Sequence, residues 1–337
     1  MAYTLGIDLD SASTVVAVSR LGHGGWEKAE VVPAGEGLGH GYPRRIGDDV
    51  PLVLDGAPYR AAELTADLVD EILGRVDRAE GGPADQIVLA VPGTWGGYRR
   101  GLLRAALWSA GLDDLTILAR PVVAAEWYAA GWPVDVGGVL AVYALGDEHC
   151  ECAVVRRTGV ATFEPLASAE TADPVGTNDF DDGLGGEELV DSTMRTLLRT
   201  VRAGGVEPAE LAGLVLAGPG ARVPLVRRMA DALVPGRVAA GDDAIALGAA
   251  YAARTMVARP GSMAPYQPAG SERMDVRAEH GERERGGRED GPPRPPRPPV
   301  VITELEAPRR RVRRDAPARR DRSSRATEPG DGYWDSM

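Results

Sequence analysis

The stretch Thr4-Leu5-Gly6-Ile7-Asp8-Leu9-Asp10-Ser11-Ala12-Ser13-Thr14-Val15-Val16-Ala17-Val18 is the most informative in the chain. Two apolar, β-branched runs flank a small polar turn with aspartates at its mouth. This pattern predicts strand, tight turn, strand. Val and Ile suit a buried strand, and small turn residues let the backbone come close to a ligand. Ser11–Ser13 also reads as ordinary turn chemistry, and Asp8 and Asp10 as plain turn residues.

Downstream, Gly22 to Pro58 is Gly-rich and irregular, with weak strand signals at Glu30–Val32 and Leu52–Leu54. Apolar spacing predicts a helix over Ala61–Ala79, a strand at Gln86–Val91 and a helix at Tyr98–Ala110 closed by Gly111. A strand at Leu115–Leu118 and a short helix at Val122–Ala130 follow. The pattern then restarts, with strands Val139–Tyr143 and Cys152–Arg156 around a turn and a third strand at Val160–Leu166. After a polar passage come a helix from Leu184-Gly185-Gly186 to about Arg202, a strand at Leu211–Ala217, and helices at Val223–Leu233 and Asp242–Val257. Each half opens with a hairpin and continues with alternating helices and strands. The expectation is a duplicated α/β architecture with a cleft between two lobes.

Charge divides the chain differently. Residues 258–337 carry 17 basic and 14 acidic side chains, leaving 21 basic and 36 acidic in residues 1–257. A body this acidic argues against a general nucleic-acid surface. Twelve of the 26 prolines lie beyond Arg259, among Arg, Glu, Gly and Ser, so residues 258–337 are expected to be a disordered Pro/Arg-rich tail. Within it, Pro292–Pro299 favours a polyproline helix, and Val300–Leu305 is a lone apolar island suited to docking. Arg309–Arg325 holds nine Arg against two Asp, for which nucleic-acid binding is the minority reading. Asp8 and Asp10 interrupt the first apolar stretch, so no signal peptide is expected, and no uncharged apolar run reaches about 18 residues. Two cysteines, Cys150 and Cys152, fit a reducing, cytoplasmic setting and read as buried strand residues.

Five stretches, in order, resemble the nucleotide-binding domain of the Hsp70 family, part of the actin-like ATPase superfamily. They are the opening hairpin; Ile87–Trp95 running into the Arg-rich helix; Leu118–Ala125; Val142–His149, where a second phosphate hairpin belongs; and Leu214–Pro224 with Asp242–Ala250. The resemblance implies the duplicated actin-like (ribonuclease-H-like) fold, with lobe I at about 1–133 plus 242–257 and lobe II at about 134–241. It also implies ATP or ADP with Mg²⁺. Asp8 would organise the ion through water. Asp10, Ser11, Ala12, Ser13 and Gly146 would lie at the phosphates, and Gly218, Gly220 and Arg222 at the adenosine. No stretch resembling a peptide-binding β-domain follows residue 257.

The departures from the family pattern concentrate on the phosphate side. Asp10 replaces the usual Gly, and Ala144 replaces a second magnesium-organising Asp. Asp147, Glu148 and His149 replace a Gly-Gly-Thr, and Arg120 replaces the catalytic Glu. Lys28 is the only lysine and lies outside every matching motif. The expectation is an Hsp70-like adenine-nucleotide-binding protein with slow or lost hydrolysis, acting as a chaperone-like or regulatory switch whose tail meets a protein partner. The alternative is a nucleotide-independent scaffold working through that tail.

Overall fold

The computed structural model describes residues 2–9, 14–33, 41–146, 148–159, 162–171, 177 and 186–257. The first sheet is built from β1 (Tyr3–Leu9), β2 (Thr14–Gly22), β3 (Gly25–Trp26), β4 (Glu30–Val32), β7 (Gln86–Val91) and β8 (Leu115–Ala119), in the order β3-β2-β1-β7-β8 with β4 also on β2. β1 pairs antiparallel with β2 and parallel with β7, and β7 pairs parallel with β8. The second sheet repeats this plan. β9 (Val139–Leu145) pairs antiparallel with β10 (Cys150–Gly159) and parallel with β12 (Gly213–Ala217), which pairs parallel with β13 (Val238–Gly241). β11 (Thr162–Glu170) lies on the far side of β10, and β5 (Leu52–Leu54) with β6 (Ala57–Tyr59) forms a separate two-stranded ribbon. The fold is the duplicated actin-like α/β architecture.

Helices follow the same duplication. α1 (Ala61–Glu80) precedes β7 and α2 (Gly97–Ser109) precedes β8, while α4 (Gly186–Ala203) precedes β12 and α5 (Pro224–Leu233) precedes β13. At the start of α1 the Arg60 N–H donates to Glu63 Oε2 and the Glu63 N–H to the Arg60 carbonyl, and the helix ends at Gly81 in the left-handed conformation. After the last strand of each half comes one more helix, α3 (Arg120–Gly131) and α6 (Ala244–Val257). These two pack on each other between the sheets, and one apolar core runs through Val88 and Ala90 of β7, Val123 and Ala124 of α3, Val142 of β9, Ala153 of β10 and Ala249 and Ala253 of α6. A second core, with Val190, Leu197 and Val226 at its heart, fills the other face of the second sheet.

The strand period of two decides what faces this central layer. Tyr3, Leu5, Ile7 and Leu9 alternate with Thr4, Gly6 and Asp8. Thr4 Oγ1 donates to the carbonyl of Ala250, and a Cβ on Gly6 would stand 2.3 Å from the carbonyl oxygen of Ala246, so this second set faces α6. In β9 the inward set is Leu140, Val142 and Ala144, and in β10 it is Glu151, Ala153 and Val155.

Several boundaries differ from the sequence expectation. The strands β9 and β10 extend beyond the expected Tyr143 and Cys152 until Leu145 and Cys150 pair directly, so the turn expected at Leu145–His149 is one residue shorter. The third strand of the second half runs to Glu170, beyond the expected Leu166. β3, β6 and β13 carry no alternation that would announce them; β13 is the small-residue run Val-Ala-Ala-Gly, held by parallel pairing to β12. The tail, residues 258–337, lies outside the described residues.

The contact between α3 and α6 is tightest at Gly248, where a Cβ would stand 1.8 Å from the carbonyl oxygen of Val123. Gly248→Ala is expected to lower the unfolding free energy by about 1–3 kcal/mol through overpacking. Urea denaturation followed by circular dichroism measures it, and an unchanged midpoint would contradict this packing.

Candidate functional site

Asp8 lies near the end of β1, on the face turned to the central helices. Arg120 opens α3, in the segment after β8. The two meet: Arg120 Nε donates to Asp8 Oδ1 at 2.9 Å, and Arg120 Nη2 donates to the carbonyl of Leu9 at 2.6 Å. Arg120 is buried, with 7% of its side chain exposed, and Asp8 is partly buried at 13%, which makes this a largely interior ion pair and not a surface one. A cation in the first turn of a helix is opposed by the helix dipole. The Asp8 carboxylate and the Leu9 carbonyl offset that, and they hold the end of β1 against α3.

This geometry bears on whether Asp8 can organise Mg²⁺, and the fixed positive charge of Arg120 beside the carboxylate opposes a dication there. A carboxylate organising a hydrated dication must present free lone pairs to the ion's waters. Here a permanently charged guanidinium already sits at hydrogen-bond distance. The equivalent inward position on the duplicated strand is Ala144, which pairs with Ala217 as Asp8 pairs with Ala90. Among the described residues no three His, Cys, Asp or Glu side chains are grouped to hold a metal ion.

Of the other residues assigned to the phosphates, Asp10, Ser11, Ala12 and Ser13 lie outside the described residues. Gly146 stands in the β9–β10 turn; its N–H donates to the carbonyl of His149 at 2.9 Å, and its carbonyl accepts from Thr177 N at 3.1 Å. Cys150 and Cys152 are fully buried on the opposite face of β10, with sulfurs 4.0 Å apart. They belong to the core under α4, where the hydrogen bond shared with Cys150 and burial push the Cys152 thiol well up.

On the adenosine side, Gly218 and Gly220 lie in the turn after β12. Gly218 has φ 77°, and a Cβ on it would stand 2.7 Å from the carbonyl oxygen of Leu145. A Cβ on Gly220 would stand 2.3 Å from that of Leu145. Both glycines are therefore required by the packing of this turn against β9, whatever else they contact. Arg222 pairs with Asp242, and its side chain is 78% exposed. An exposed pair contributes about 0–1 kcal/mol, so Arg222 remains available to a ligand. Burial and the neighbouring Asp242 raise Asp243, which follows in the same loop.

Sequence reasoning missed Glu151. It is fully inward on β10, and its Oε1 accepts from the backbone N–H of Gly93, in the turn after β7, at 2.6 Å. Because both faces of β10 are buried, no apolar–polar alternation marks it. The one signal was parity, with Glu151 out of phase with Cys150 and Cys152.

No family model matches the chain. Curated relatives do. A homologue of the chaperone protein HscA from Azotobacter vinelandii is 26% identical over 74% of this chain and 49% of its own length. One from Pseudomonas putida is 28% identical over 73% of this chain and 48% of its own. Another, from Pseudomonas fluorescens, is 29% identical over 68% and 38%. The chain thus spans about half the length or less of these curated relatives. HscA is an Hsp70-family chaperone, and the similarity together with the duplicated sheets supports an Hsp70-like nucleotide-binding domain for the body.

Removing one partner of a buried ion pair leaves the other charge uncompensated. Arg120→Ala is expected to lower the unfolding free energy by about 3–5 kcal/mol. The double variant Asp8→Asn/Arg120→Ala should recover part of that loss. A double-mutant cycle by chemical denaturation with no coupling between the two positions would contradict the pairing.

Proposed function

We propose that the body is an Hsp70-like adenine-nucleotide-binding module that has lost metal-dependent ATP hydrolysis. It acts as a chaperone-like regulatory switch that engages a protein partner through residues 258–337. The observation that carries this reading is the seat of Arg120 on Asp8. Phosphoryl transfer depends on a positioned metal and an oriented nucleophile. One substitution, Arg120 for the family's catalytic Glu, removes the residue for activating water and also places a fixed cation on the carboxylate meant for Mg²⁺. ATP or ADP is held chiefly from its adenosine end, where Arg222 keeps the exposure needed to stack on a base.

The two buried free thiols agree with a reducing, cytoplasmic compartment. No helix among the described residues is long and apolar enough to cross a membrane. Binding of nucleic acid by Arg309–Arg325 stands as a weaker use of the tail.

A second reading, the nucleotide-independent scaffold, is favoured by Gly218 and Gly220. Their packing on Leu145 explains both residues without a ligand.

Thermal unfolding with ATP or ADP, in Mg²⁺ and in EDTA, separates the two. Ligand at 100 times its dissociation constant stabilises by about 2.7 kcal/mol, or roughly 5–10 °C for a body of this size. The expected result is a shift of equal size in Mg²⁺ and EDTA, with no phosphate released above background. No shift at millimolar nucleotide would favour the scaffold. Mg²⁺-dependent hydrolysis abolished by Asp8→Ala would overturn the loss of metal chemistry.

A further inference from the structure

Glu151 stands directly opposite Glu170 in the β10–β11 pairing. Like charges in such a pair repel unless each is compensated. Glu170 is compensated by Arg44, 2.5 Å away, from the short helical turn Pro43–Arg45. Glu151 receives only the N–H of Gly93 on Oε1; among the described residues its Oε2 is buried without a hydrogen-bond partner. Gly93 belongs to the half that carries the first sheet and Glu151 to the second sheet, so this bond crosses the molecule where the two halves face each other.

The fit around Gly93 is close. A Cβ there would stand 2.6 Å from Glu151 Oε1, 2.9 Å from Pro121 Cγ and 2.9 Å from Ser168 Oγ. Ser168 Oγ is likewise buried without a partner among the described residues. Three segments therefore converge on one glycine, and it has no room for a side chain.

We propose that Gly93 and Glu151 form a proton-gated latch between the two halves, which closes when Glu151 is protonated and loosens when it is ionised. The contact does not depend on whether nucleotide binds. Its sign follows from the environment. Burial pushes the Glu151 carboxyl up to about 7, against the pull of Arg120 on α3, the Gly93 N–H and Arg44; Glu170 on β11 pushes the same way as burial. Once the halves separate and water reaches it, the carboxyl returns toward the ordinary value near 4.5. The closed form therefore holds its proton more tightly. Closure is favoured fully below about pH 4.5 and loses that advantage as pH rises through about 7. Protonation turns Oε2 into a donor, and Ser168 Oγ, beside the same glycine, is an unused acceptor.

The test is a distance between spin labels on the full chain, carried by Asp70→Cys on α1 and Arg195→Cys on α4, both on exposed positions, while Cys150 and Cys152 stay buried. Between pH 6 and pH 8 the ratio of closed to open populations should fall about 10-fold. Glu151→Gln, which keeps the acceptor without the charge, should hold the closed distance at both pH values. Gly93→Ala should give the open distance at both. Identical wild-type distances at pH 6 and 8, or a Glu151→Gln variant that still follows pH, would overturn the latch. Should either variant fail to fold, the wild-type pH series decides alone.

Discussion

A largely buried carboxylate has to be matched by something, and in this protein the match to Asp8 is Arg120. The pair lies 7% and 13% exposed between β1 and α3, and the guanidinium also takes the Leu9 carbonyl. Removing charges from water costs several kcal/mol per ion, so such a pair is tolerated only where each member satisfies the other. A metal site at the same place would need Asp8 to be free, and an isolated Arg120 would be opposed by the dipole of α3. The fixed positive charge of Arg120 therefore opposes a dication beside Asp8. The arginine at position 120 is what the proposed loss of metal chemistry rests on.

Duplication makes the asymmetry of the site plain. β1 and β9 occupy equivalent places in the two sheets, each with an antiparallel neighbour and a parallel one. Asp8 and Ala144 hold equivalent inward positions, one charged and one methyl. The carboxyl absent at Ala144 is found one strand over, at Glu151, where it meets a backbone N–H from the other half. Polar groups in the central layer thus join protein to protein. The adenosine side is different, because Arg222 and Asp242 form an exposed pair that separates at little cost.

Much of this was legible in the sequence. The opening hairpin, the restart at Val139 and the alternation of helices with strands read directly, because each has a strong apolar period or a turn signal. Thr4, Gly6 and Asp8 fall on one face by parity alone. Arg120 stood out as a departure from the family, but its partner did not, since 112 residues separate it from Asp8. Glu151 was hidden because both faces of β10 are buried, and the expected strand began only at Cys152. Gly218 and Gly220 were noticed for their place in a binding motif, whereas their close approach to Leu145 is a tertiary contact with no local mark. β13 was missed for the related reason that a short run of small residues has no pattern of its own.

Manganese electron paramagnetic resonance, with Mn²⁺ standing in for Mg²⁺, addresses the central claim most directly. Wild-type protein titrated with Mn²⁺ in the presence of ADP should show only free and ADP-bound ion, with spectra unchanged in Asp8→Asn. A protein-bound Mn²⁺ signal in the wild type that disappears in Asp8→Asn would mean that Asp8 releases Arg120 to take the ion, and would contradict the account.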